Sequence, residues 1–268
     1  MSETTKATTV NGVRAIELYY RVIREIASGS TAFYQSQTRL NTPGLGTLMP
    51  ENYRDVAEVT NQCVTLFDLE FLHALESVQK FQDRDLWFDW LSVYASAKYL
   101  SDPKAERNIL TYCQKYSVPT NRICFALSEK ILEETDGVVA TTIKHLRNRG
   151  FHFMVTDFGN DACPIMRLSS FECDYVMLSP EVTGFLGKDD RSDAAVKSLI
   201  DFVSDLGAEP IADGVFNSMQ AEKLFGFECR YCAGSLAGKY IAERYVRRRG
   251  DEEEEPEPSE TQEQTNNQ

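Results

Sequence analysis

The chain has 268 residues, 42% hydrophobic and 11% aromatic, enough for one large core without a clear surplus for a second domain. A formal charge of −13 argues against DNA or RNA as the main partner. No apolar run reaches the roughly 20 residues that cross a bilayer, which excludes a helical membrane span.

The first thirteen residues read as a flexible N-terminus. MSETTKATTV lacks the basic-then-apolar order of a secretory signal, so a cytoplasmic location is expected. From residue 14 to 246 short apolar runs alternate with longer amphipathic ones. Strands are predicted at 14–22, 88–94, 122–127, 151–156, 174–178 and 208–212. Helices are predicted near 53–81, 103–116, 133–149, 192–206 and 217–225. Ser192 or Asp193 and Asn217 serve as N-caps there, and Gly150 and Gly207 as C-terminal stops. Such alternation fits a (β/α)8 barrel or a doubly wound sheet, and the lack of GxGxxG or GxxxxGK[ST] after any strand favours the barrel.

Residues 247–268 are expected to form a disordered acidic tail. Positions 251–268 hold eight acids and no Lys or Arg, and setting them aside takes the net charge from −13 to −5. The run Arg247-Arg248-Arg249 reads as a solvated helix end rather than a nucleic-acid patch.

Barrel chemistry sits at the C-terminal ends of strands. Here those ends read Tyr94, Ala126 to Ser128, Thr156-Asp157, Met177 to Ser179 and Asp213, with Asp157 and Asp213 the only acids. A Mg²⁺ or Mn²⁺ site wants several convergent oxygen ligands, so no metal is predicted. The pair Cys229 and Cys232 matches CxxC without a second such pair, and the seven cysteines read as reduced thiols. His73, His145 and His152 have no nucleophile placed beside them by any motif.

The order of short motifs resembles the EAL domain, the barrel that hydrolyses cyclic di-GMP in bacteria, over residues 16 to 240. LYYRVI (Leu18 to Ile23) resembles LxYQPI, GSTAFYQSQTRL the G-x5-EALxR segment, and TPGLGTLMPENYRDVAE the entry to the first long helix. LSVYAS resembles VNxS, FALSE EITE, TDFGND DDFGTG, YVMLS xxKxD, IADGVF AEGVE, and AGSLAGKY QGxLxGxP.

The resemblance implies a TIM-type barrel in which carboxylates and an Asn hold two divalent cations that activate water. On this chain the Glu of EAL falls on Gln35, the Asn of VNxS on Tyr94 and the first Glu of EITE on Ala126. The first Asp of DDFG falls on Thr156, the Lys on Met177, the second Glu of AEGVE on Phe216 and the Gln of QGxLxGxP on Ala233. Arg39, Asp157 and Asp213 are what remains of the implied site.

That pattern predicts a stand-alone, catalytically inactive barrel without cofactor or metal, acting through an unidentified protein partner in or near cyclic di-GMP signalling. The alternatives are a receptor that binds the dinucleotide without cleaving it, through Arg39 and Asp157, and, behind it, a residual phosphodiesterase. Tyr94, Met177 and Phe216 are expected to fill the former cleft. Arg39 is expected to contact a phosphate or, more commonly for a lone Arg, a structural ion pair.

Overall fold

Strand β1 (Ile16–Glu25) sends Leu18 and Tyr20 to a helix-covered outer layer and Ile23 to an inner one, as the twofold period of a strand requires. Five residues later the chain re-enters the sheet as β2 (Thr31–Thr42), antiparallel to β1. So short a connection cannot hold the crossover that a parallel pair needs. The barrel thus departs from the all-parallel arrangement at one strand. The computed structural model describes residues 9–10, 13–134 and 137–247. The expectations for the acidic tail and for Arg248 and Arg249 lie outside them. Within the N-terminal stretch Thr9–Val10 pairs with Val13–Arg14.

From β2 the sheet continues in parallel through β3 (Leu91–Tyr94), β4 (Ile123–Ser128), β5 (His152–Phe158), β6 (Tyr175–Leu178), β7 (Glu209–Ala212) and β8 (Tyr231–Cys232). The last strand pairs antiparallel with β1 and closes an eight-stranded TIM-type barrel. Its interior is filled by Ile23, Phe33, Trp90, Cys124, Met154, Ile211 and Tyr231, with Phe33 stacked on Trp90 at 3.9 Å between centroids.

The helices are α1 (Pro50–Val59), α2 (Gln62–Asp83), α3 (Ala97–Leu100), α4 (Ala105–Tyr116), α5 (Val138–Asn148), α6 (Pro180–Thr183), α7 (Asp190–Asp205) and α8 (Ser218–Gly226). The single helix predicted over 53–81 is two, because Asn61 takes the left-handed conformation (φ 61°) that Asn tolerates. Helix α7 begins earlier than predicted, with Asp189 rather than Ser192 or Asp193 as N-cap, its carboxylate accepting from the Ser192 amide at 2.7 Å. Asn217 caps α8 as predicted, and Gly150 and Gly207 follow α5 and α7 at positive φ. Among the described residues no helix is long and apolar enough to cross a membrane.

Candidate functional site at the barrel mouth

The carboxyl ends of the strands open into a cavity of about 660 Å³, lined from β1 by Arg21, from β2 by Gln35 to Gln37, and from the following strand ends by Tyr94, Ala126, Thr156, Asp157, Met177 and Asp213. Helix α1 contributes Glu51, Arg54, Asp55 and Glu58, and the segment after β4 adds Glu129, Lys130, Glu133 and Glu134. Lining acids outnumber lining cations eight to three, so the mouth as a whole repels anionic ligands.

At its floor stands Arg21. Alternation along LYYRVI places this residue on the inward face with Ile23, and an arginine there must find an anion. It finds Asp213 at the end of β7. Nη1 donates to Oδ1 at 2.8 Å and Nη2 to Oδ2 at 2.6 Å, a two-point fork. Nε donates to Gln35 Oε1 at 2.8 Å, which also accepts from the Tyr240 hydroxyl at 3.1 Å. The Met177 sulfur lies 3.9 Å from Nη2 and 3.6 Å from Gln35 Nε2. Burial pulls the Arg21 pKa down, yet Tyr240 and Asp213, with Asp157 further off, raise it above the ordinary value, so the side chain stays charged.

Tyr94 lines the wall, its hydroxyl donating to Glu58 at 3.2 Å and its ring lying 3.8 Å beneath the Arg54 guanidinium. Burial, and then the Glu58 charge, hold its hydroxyl neutral by raising the pKa. Thr156 donates to Asp157 at 3.0 Å, and Asp157 itself adopts φ 59° at the end of β5, where it faces the cavity exposed. Asn160 donates to the buried Glu129 at 3.2 Å.

Several expectations need correction. The cleft is not filled. Met177 is buried in the interior layer, Tyr94 packs into the wall, and Phe216 turns outward with 62% of its surface exposed. Phe216 follows Val215, whose amide and carbonyl are held by Ala233 and Leu236, and this pairing sets the segment's orientation. Arg39 neither lines the cavity nor joins an ion pair among the described residues. It stacks on the Tyr19 ring at 3.5 Å. Glu17 stands directly opposite Arg39, and Tyr19, opposite Gln37, is its diagonal neighbour on the same sheet face, which brings ring and guanidinium together. Asp157 and Asp213 do share the cavity. Ala126 and Ala233 are buried and bring no polar side-chain atom.

Arg21 stands outside the set of site residues expected from the sequence. The signal was a single charge inside an apolar strand, on the face that alternation sends inward. Elsewhere His73 lies on α2, His145 meets Glu106 at 3.2 Å, and His152 packs edge-on to Tyr175, none of them at the mouth. Cys229 and Cys232 are buried free thiols, pushed up to about 12 and about 11 by burial.

A barrel with this reversed first strand and this mouth defines the class, and the family model of the EAL domain matches residues 11–240. The chain belongs to the EAL domain family. It is similar to the cyclic di-GMP phosphodiesterase RocR of Pseudomonas aeruginosa, 22% identical over 229 residues that cover 85% of this chain and 58% of RocR. The chain therefore spans little more than half the length of that relative. Among solved structures it resembles the EAL enzyme Bd1971 in its cAMP- and cyclic-di-GMP-bound form, with TM-score 0.79, 19% identity and coverage of 86% and 63% of the two chains. It also resembles the PaMucR phosphodiesterase in complex with c-di-GMP, with TM-score 0.75, 18% identity and coverage of 85% and 92%.

The family implies divalent cations at this mouth, and the residues present do not fit them. Asp213 is engaged by Arg21, Gln35 Oε1 is shared between Arg21 and Tyr240, and the soft Met177 sulfur stands beside them. Among the described residues no three His, Cys, Asp or Glu side chains are grouped to hold a metal ion.

Proposed function

We propose that this chain is a non-catalytic EAL-domain protein of cyclic di-GMP signalling that acts through protein contacts of its barrel. The observation that carries the reading is the Arg21–Asp213 fork at the floor of the mouth. It commits one of the two strand-end acids that the family pattern retains. With Ala126, Met177 and Ala233 at three more of the implied positions, too few oxygen donors converge to hold the pair of cations that activates water.

Incubation of the purified chain with cyclic di-GMP in MgCl₂ or MnCl₂ tests the reading, with linear pGpG as the readout. No pGpG is expected at any dose, and dose-dependent pGpG overturns the proposal. Affinity capture from the native cell, with the barrel as bait, is expected to return one stoichiometric protein partner.

A second reading, a non-hydrolysing cyclic di-GMP receptor, draws support from the open cavity and from the Arg54–Tyr94 stack on its wall, where a guanine ring has a surface to lie on. Against it stands the eight-to-three excess of acids, which repels two phosphates when no cation bridges them. Binding weaker than about 100 μM is expected, corresponding to less than about 5.5 kcal/mol. A micromolar constant in a calorimetric titration would put the receptor reading first.

A further inference from the structure

We propose that Arg21 is a built-in cation of the barrel mouth: its guanidinium neutralises Asp213 from inside the protein and excludes divalent metal from the site. The inference deepens the non-catalytic reading of the same mouth and rests on the geometry at its floor. Only 12% of the Arg21 side chain and 14% of the Asp213 side chain are exposed. Both carboxylate oxygens of Asp213 are taken by the fork, and Asp213 Oδ1 accepts in addition from the Gly214 amide at 2.6 Å. The remaining guanidinium edge is held by Gln35 Oε1, and the Tyr240 ring lies 4.9 Å from its centre.

An ion placed beside Asp213 would meet this fixed positive charge at a few ångströms in a poorly solvated floor, where repulsion is strong. It would also have to displace a bidentate partner whose planar fork matches the carboxylate. Without Arg21, Asp213 would be an enclosed acid with no counter-charge, in a mouth already crowded with carboxylates. The guanidinium thus does for charge balance here what a bound ion does elsewhere, and it does so permanently, because arginine does not lose its proton. Asp157, which faces the same cavity and has no ion pair among the described residues, is the second acid within its field.

The test is titration of MnCl₂ and MgCl₂ into the full chain, read by calorimetry and by thermal melting, for wild type, Arg21→Gln and Arg21→Gln/Asp213→Asn. The wild type is expected to show no saturable heat and an unchanged Tm. Arg21→Gln is expected to bind Mn²⁺ at least about tenfold more tightly and to gain Tm with it. The double variant is expected to lose that gain, since Asp213 supplies it. Should Arg21→Gln fail to fold in EDTA, refolding in MnCl₂ supplies the reading: recovery with Mn²⁺ supports the proposal, and failure in both buffers overturns it. A folded Arg21→Gln that binds no more tightly than wild type, or a gain that survives Asp213→Asn, also overturns it while leaving the non-catalytic reading standing. Tight Mn²⁺ binding by the wild type overturns both.

Discussion

Arg21 and Asp213, 192 positions apart in the chain, meet in a two-point contact of 2.8 and 2.6 Å across the floor of the barrel. One belongs to the reversed first strand and the other directly follows the seventh, so the pair exists only when the barrel is closed. Removing one partner strands a mostly enclosed charge. Asp213→Ala is expected to cost about 3–5 kcal/mol of unfolding free energy in urea titration. Replacing both, as in Arg21→Met/Asp213→Leu, is expected to cost less than the sum of the single changes. Strict additivity would mean that the contact contributes nothing.

Glu70 gives the protein a pH dependence. It lies on α2 with 3% of its surface exposed, and burial raises its carboxyl from 4.5 to about 7, against opposing help from the Thr38 hydroxyl and the Arg54 charge. The folded state therefore holds this proton more tightly than the unfolded chain does. Its contribution to stability is complete below the unfolded value and is lost as pH rises through about 7. Glu70→Gln is expected to flatten the dependence and to gain about 2–3 kcal/mol over wild type above that window. Melting curves on either side of it decide the matter, and equal slopes for both proteins would refute the assignment.

Gly234 follows Ala233 where the chain returns past Val215. Its φ of +130° is a conformation that side chains rarely adopt, and a Cβ there would stand 2.4 Å from the Val215 carbonyl oxygen and 2.5 Å from its amide nitrogen. Both neighbours are backbone, and the Val215 amide is bonded to the Ala233 carbonyl at 3.0 Å, so neither can withdraw cheaply. Gly234→Ala is expected to destabilise the barrel by about 3 kcal/mol or more, visible as a lowered urea midpoint with an unchanged slope.

Arg39 separates structural from ligand-binding roles. Stacked 3.5 Å from the Tyr19 ring and absent from the cavity lining, it is expected to leave cyclic di-GMP binding unchanged when replaced by Ala. Stability is expected to fall by about 0.5–1 kcal/mol, the usual size of a cation–π contact near a surface. Calorimetry and thermal melting of Arg39→Ala read the two effects separately, and loss of dinucleotide binding in this variant would restore Arg39 to the site.

Local pattern carried much of this protein into view. The apolar runs of β3 to β7, the caps at Asn217, Gly150 and Gly207, and the ordered motifs from LYYRVI to AGSLAGKY are all short-range signals, and each survives in the fold. β2 escaped because the positions that follow Phe33 on its face are Gln35, Gln37 and Arg39 instead of the apolar residues by which a strand is recognised. Those polar groups belong to the upper barrel wall, whose accounting requires knowing what lies across from them.

The sequence by itself determined that several implied ligand positions hold Ala, Met, Phe or Tyr, because loss of an oxygen donor is a property of the residue. It also determined that Asp157 and Asp213 end strands. Whether the replaced side chains filled the mouth was beyond it: Phe216 turns outward and Met177 sinks into the interior, leaving the cavity open. Only the closed barrel decided that Asp213 is neutralised by Arg21, since a hydrogen bond requires two groups within about 3 Å and chain separation says nothing of distance. Barrel closure brings those groups together by pairing β8 back onto β1.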